Sequence, residues 1–295
     1  MKTIAIARIV AATDFSAAAE RAVRRGALIA KQLGAEFHLL HVVHPLDLYP
    51  GLMLAFDSRK SELERLRQET GKTRVDTMAD ALQQEYGIRI KTATRIGRAH
   101  TQIAEYAAAH AAGLLVVGAR GENNMLDLLL GSTASRLLRV ATCPVLIVRN
   151  AEATSYRQAI AAVDFPEGSA AVPTFARTIA PDARIEVLHI FDLVQEARMR
   201  EIGLDDARLQ KYRDDALAQT QTQLDEMLAV LEDERMTRQA LTGYPPEEIC
   251  ARAVTLGADL IVLGRQGKSD LQEFLLGTVS KDVASAADCD VLLTT

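Results

Sequence analysis

Apolar and polar positions along this chain fall into two recurring patterns. Short, wholly apolar runs such as Leu114–Val117 and Leu260–Leu263 end at Gly118 and Gly264. Longer stretches set alanine, leucine and valine among Glu, Arg and Gln. The short runs read as buried strands and the long ones as helices. In the first half a strand ending at Ala12 precedes a helix from Ser16 to about Leu33, interrupted at Gly26. A strand over Glu36–Val43, a helix within Leu54–Tyr86 and a strand over Ile88–Thr94 follow. A helix over Ala99–Ala111, the strand Leu114–Val117, a helix after Ser132 and the strand Pro144–Val148 complete it. The second half repeats the strands near Ala159–Val163, Arg184–Ile190, Met236–Leu241, Leu260–Leu263 and Val291–Leu293. Strands alternating with helices require parallel pairing through helical crossovers, an α/β fold.

A glycine register links the halves. Gly118-x2-Gly121-x9-Gly131-Ser132 is matched by Gly264-x2-Gly267-x9-Gly277-Thr278, and 264−118, 267−121 and 277−131 all equal 146. The chain therefore reads as a duplicated domain, in keeping with its 295 residues and a usual domain size of about 150. The short polar stretch Asn150–Tyr156 marks the boundary, predicting domains over residues 1–150 and 156–295. A net charge of −5 without a basic stripe counts against nucleic acid as a partner. Three cysteines (Cys143, Cys250 and Cys289) suit a reducing compartment and a cytoplasmic location. No apolar run nears the roughly 20 residues that span a bilayer. The run Ile4–Ala12 reads as a strand rather than a leader, because Ile160–Val163 repeats its pattern mid-chain.

The glycines point to chemistry. Parallel sheets collect ligands at the carboxyl ends of their strands, where strand order reverses. Gly118 and Gly264 end strands there, and Gly131-Ser132 and Gly277-Thr278 open helices whose free N–H groups suit phosphate oxygens. Ser132, Thr133, Thr278 and Ser280 add hydroxyl donors. Asp14 in Ala-Thr-Asp-Phe-Ser and Asp164 in Ala-Val-Asp-Phe-Pro end the first strand of each half. Each carboxylate can accept from a ribose or an adenine amino group, or cap the next helix. No G-x4-G-K-[ST] motif is present.

These motifs resemble those of the universal stress protein (UspA) family, in the tandem two-domain type. The resemblance implies a five-stranded parallel sheet in each half, in the order 3-2-1-4-5. It implies a first nucleotide site at Thr13, Asp14, Val42, Gly118, Gly121, Gly131, Ser132 and Thr133. The second would use Val163, Asp164, Ile190, Gly264, Gly267, Lys268, Gly277, Thr278, Val279 and Ser280. The pairs His41-Val42 and His189-Ile190 match the family's second strand, whose backbone contacts adenine. ATP or AMP, with Mg²⁺ at the phosphates, is the implied cofactor, and a non-catalytic stress sensor the implied role. A pseudo-dimer of the halves and a homodimer of chains are the implied assemblies. A slow ATPase, and a nucleotide-free scaffold binding a protein or lipid-like partner through segments 46–75 and 192–235, are the alternatives; the apolar residues Leu52, Met53, Leu54 and Phe56 suit covering a site mouth or packing against the sheet edge.

Three departures qualify the pattern. Lys268 follows the second glycine in the second half, whereas Glu122 stands in the first. A carboxylate beside a triphosphate repels it, although Arg120 can offset this, so the second site is expected to bind ATP more tightly. Pro166 replaces Ser16, and Cys-Asp-Val replaces Cys-Pro-Val before the last strand. His38, His41 and His44 do not read as one metal site, since His38 and His44 lie about 20 Å apart along a strand and His41 points the other way.

Overall fold

The computed structural model describes residues 4–45, 50–120, 130–164, 171–192, 205–265 and 276–295, with the backbone alone at 50–61 and 192. Two compact units emerge, Ala5–Thr154 and Ser155–Thr295.

The first unit runs β1 (Arg8–Thr13), α1 (Ala17–Leu33), β2 (Glu36–Val43), α2 (Pro50–Tyr86), β3 (Ile90–Ile96), α3 (Ala99–Ala109), β4 (Leu114–Gly118), α4 (Ser132–Val140) and β5 (Val145–Val148). Its strands pair in parallel in the order β3-β2-β1-β4-β5. The second unit runs β6 (Gln158–Ala162), α5 (Ala171–Ile179), β7 (Arg184–Asp192), α6 (Asp206–Leu231), β8 (Met236–Gly243), α7 (Pro245–Leu256), β9 (Leu260–Gly264), α8 (Thr278–Ala286) and β10 (Asp290–Thr294). Its parallel order, β8-β7-β6-β9-β10, repeats the first. In each unit the order reverses beside the first strand, between β1 and β4 and between β6 and β9.

The apolar runs are the sheet interiors: Leu114, Leu115, Val116, Leu260, Ile261 and Val262 are all fully buried. Each such side chain contributes about 1.5–3 kcal/mol relative to exposure. Local chemistry sets the helix ends. Ser16 accepts from the Ala19 N–H at the start of α1, and Gly34 closes it with φ 63°. Gly26 falls inside α1 because an added Cβ would lie 2.8 Å from the Phe37 ring. Arg25 of the same helix is buried and donates to the Glu152 carbonyl at 2.8 Å and to that of Thr154.

Strand β3 lies two residues later than its apolar alternation predicts. Gly87 adopts φ 68° and its N–H returns to Gln83, so the chain is still leaving α2 at Ile88. Pairing then starts at Phe37↔Ile90 and ends with β2 at Val43↔Ile96. The repeat holds in fine detail as well: Gly97 and Gly243, 146 residues apart, share φ values of 147° and 153°.

Candidate functional site

At the first switch point the ends of β1, β2 and β4 and the starts of α3 and α4 enclose a cavity of about 350 Å³, a size suited to a small ligand. It brings together Thr13, Asp14, Val42, Gly118, Gly131, Ser132 and Thr133. Gly121 lies outside the described residues, as does Glu122. Arg120 lines the cavity. So does Arg67 of α2, which sequence reasoning missed; its guanidinium donates to the His44 carbonyl at 3.3 Å.

The two glycines serve different ends. A Cβ on Gly118 would lie 2.9 Å from the carbonyl carbon and oxygen of Ala18, so this glycine lets the end of β4 pass the first turn of α1. Gly131 has φ −59° and ψ 150°, open to any residue, yet it caps α4 without a side chain. A Ser or Asp there would stabilise the helix by about a few tenths of a kcal/mol. The first N–H groups of α4 thus lack an intrahelical acceptor and point at the cavity. The Gly131 N–H itself closes the preceding loop onto the Ala119 carbonyl at 2.8 Å.

Asp14 combines both roles weighed for it. Its Oδ1 accepts from the Ser16 N–H at 3.0 Å, a turn-forming bond, while the residue stays exposed at the cavity wall. Phe15 follows with φ 65°, a left-handed conformation that costs a bulky residue about 1–3 kcal/mol. Three contacts hold it there: its N–H donates to Thr13 Oγ1 at 3.0 Å, its ring lies 4.6 Å from that of His41, and Arg74 sits 3.9 Å above it. His41 Nδ1 lies 2.8 Å from the Thr13 carbonyl, which can only accept, so Nδ1 carries a proton. Burial holds this imidazole below its ordinary pKa, and Arg74 pushes the same way against the Thr13 bond. An added Cβ on Gly71 would lie 2.9 Å from the His41 ring, so glycine lets α2 close over it.

The second unit repeats this frame with different side chains. Val163 and Asp164 follow β6, Ile190 lies on β7, Gly264 ends β9, and Gly277 caps α8 with φ −60° and no side-chain bond. The Gly277 N–H closes onto Arg265 at 3.0 Å, and His189 Nδ1 donates to the Val163 carbonyl at 2.8 Å. The hydroxyls differ. Val279 stands where the first unit has Thr133, and Ser280 is buried, its hydroxyl donating to the Gly264 carbonyl at 2.7 Å. Ser280 thus braces the loop, and Thr278 is the hydroxyl left exposed at the start of α8. Gly267, Lys268 and Pro166 lie outside the described residues, as do the side chains of Leu52, Met53, Leu54 and Phe56.

Other chemistry is tied up in packing. His38 is buried, with Nδ1 at 2.9 Å from the Tyr106 hydroxyl and Nε2 at 2.6 Å from Glu36. Burial raises the Cys289 thiol to about 12. Among the described residues no three His, Cys, Asp or Glu side chains are grouped to hold a metal ion. No helix among them is long and apolar enough to cross a membrane.

Similarity to known proteins covers the chain twice over. The universal stress protein family model matches residues 5–149 and again 155–295. A universal stress protein of Methanocaldococcus jannaschii is 32% identical over 145 residues, which cover 48% of this chain and 81% of that protein. One from Mycolicibacterium smegmatis is 25% identical over 304 residues, covering 97% of this chain and 96% of its own. The crystal structure of a universal stress protein from Archaeoglobus fulgidus shares the fold with a TM-score of 0.65, at 17% identity over 98% of this chain and 96% of its own.

Proposed function

The chain belongs to the universal stress protein family, and on that premise we propose that each half binds an adenine nucleotide, ATP or AMP, at its switch point. The observation that carries this reading is the first cavity. It gathers the Asp14 carboxylate, the uncapped start of α4 and the side chains of Arg67 and Arg120 around one space. Asp14 and the backbone at Val42 suit the nucleoside, and the N–H groups and hydroxyls at Ser132 and Thr133 suit phosphate. The second half keeps the same backbone frame, with Asp164, Ile190, Gly277 and Thr278 in the corresponding places. Asp14 is the one described carboxylate lining the first cavity, so Mg²⁺ would be held chiefly by phosphate oxygens and water.

In this proposal nucleotide occupancy is a signal rather than a step in turnover. Asp14 already accepts from the Ser16 N–H, His41 is held on the Thr13 carbonyl, and no second carboxylate lines the cavity among the described residues. Occupancy would favour one conformation of the cavity walls, which a protein partner reads in the cytoplasm.

The test is to denature the purified protein and quantify released nucleotide by mass spectrometry, alongside titration calorimetry with ATP and AMP. The expected result is one to two adenine nucleotides per chain and negligible phosphate release. Flat titrations with no released nucleotide would overturn the reading. Turnover that disappears in Asp14→Ala and Asp164→Ala, with binding retained, would favour an ATPase.

A further inference from the structure

We propose that the first half selects its ligand by the length of the phosphate chain, with Arg98 and Arg136 receiving the terminal phosphates, and that the second half does not. This rests on the adenine-nucleotide reading of the cavity.

The argument begins with two helices. Ala99 and Ile103 of α3 and Ser132, Thr133 and Ala134 of α4 all line the cavity. Arg98 occupies the N-cap of α3 without making a capping bond. His100 is three residues from Ile103 and shares its side of α3, and Arg136 is four residues from Ser132 and shares its side of α4. Helical side chains lean toward the N-terminus, which carries Arg136 back toward Ser132. The three groups sense one another: burial first, then Arg136 and Arg98, hold the His100 imidazole below its ordinary pKa.

This arrangement is electrostatically one-sided. Helix starts carry partial positive charge and favour acidic residues, yet the first turns of α3 and α4 contain none. Instead Arg98 at the N-cap of α3 and Arg136 in the second turn of α4 lie close to these starts, both exposed and making no ion pair with a carboxylate among the described residues. Arg67 and Arg120 add cationic charge to the cavity itself, against Asp14 alone. A chain of phosphates reaching past Ser132 would complement this rim, and an AMP would leave it unmatched.

The second half removes or reverses the basic groups at the same positions. With the shift of 146 residues shown by Gly97 and Gly243, Arg98 corresponds to Tyr244, His100 to Pro246 and Arg136 to Asp282. The Tyr244 hydroxyl donates to Asp282 at 3.3 Å, and Glu247 and Glu248 occupy the first turn of α7. That rim is anionic, because the neutral Tyr244 hydroxyl leaves the Asp282 charge in place beside Glu247 and Glu248, and it repels further phosphate. The preference is opposite to the one expected from Lys268 and Glu122, which fall outside the described residues.

The experiment uses the full chain with one site blocked at a time. Gly131→Asp and Gly277→Asp suit this purpose, because both backbones accept any residue and aspartate caps a helix while repelling phosphate. Titration calorimetry with ATP and AMP, each with Mg²⁺, reads the open site. With Gly277→Asp, ATP is expected to bind about tenfold or more tighter than AMP, the order of one charge-assisted contact. Adding Arg98→Gln and Arg136→Gln should bring that ratio near unity while AMP binding holds. With Gly131→Asp the ratio should start near unity. If a blocked chain fails to fold, the same Arg pair in the otherwise unaltered protein must abolish its tighter ATP class and leave AMP binding intact. An ATP-to-AMP ratio unmoved by the Arg pair overturns the inference alone. A folded protein that binds neither nucleotide overturns the adenine reading beneath it.

Discussion

Two polar pairs, each built on a buried strand residue, occupy corresponding places in the halves. In the first, His38 of β2 meets the Tyr106 hydroxyl of α3 at 2.9 Å. In the second, Glu186 of β7 takes two bonds from Arg252 of α7, at 2.8 and 2.6 Å. The offsets are 148 residues for the strand pair and 146 for the helix pair, matching the shifts of the elements that carry them. One fold thus accepts a neutral hydrogen bond and an ion pair at the same point. What it retains is a polar link tying the helix to the second strand. What it varies is the sensitivity of that link to pairing and to pH.

Removing one partner should separate the two most sharply. Arg252→Met leaves Glu186, whose side chain is 7% exposed, charged and unpaired, and is expected to cost about 3 kcal/mol in urea denaturation. Adding Glu186→Leu should recover most of that loss, since paired removal of buried charges is often neutral. Tyr106→Phe should cost less, about 1 kcal/mol, because a neutral hydrogen bond is lost and no charge is stranded.

The smallest expected effect is on pH dependence. Burial lowers the pKa of His38 against the raising effect of Glu36, and burial likewise lowers that of His41. Glu36 is held down to about 2 by its hydrogen bond to Lys91 and then by His38, so it stays ionised through this window. An imidazole with a depressed folded pKa is protonated more readily in the unfolded chain. The stabilisation is therefore full above the unfolded value near 6.5 and is lost as pH falls toward the folded values. The denaturation midpoint should drop between pH 7 and pH 5, and less steeply in His38→Gln. A slope unaffected by His38→Gln would remove the pH contrast between the two pairs.

Much of the fold was legible because its signals are local. Apolar runs ending in glycine mark the central strands, and the shift of 146 residues reveals the duplication before any pairing is known. The gathering of Asp14, Gly131 and Ser132 followed from the rule that parallel sheets bind at their switch points. Other features depend on tertiary register, which a single chain of letters does not display. Arg67 reaches the cavity from a long helix whose polar residues look alike in sequence. Gly118 was placed at the switch point as a strand end, but its letter does not show that the backbone of Ala18 stands nearest its missing Cβ. Ser280 was read as a phosphate donor, yet its hydroxyl turns inward to Gly264. Phe15 gives no sign of a left-handed backbone, because that conformation is imposed by Thr13, His41 and Arg74 around it.

The bond from each strand histidine to a neighbouring carbonyl has a practical consequence. His41 and His189 each hold an Nδ1 proton against the residue directly before Asp14 or Asp164. An imidazole N–H held in such a hydrogen bond resonates apart from the backbone amides. Each half therefore carries its own magnetic-resonance reporter one residue from its aspartate, so that filling of one half could be followed in the intact chain without label or substitution.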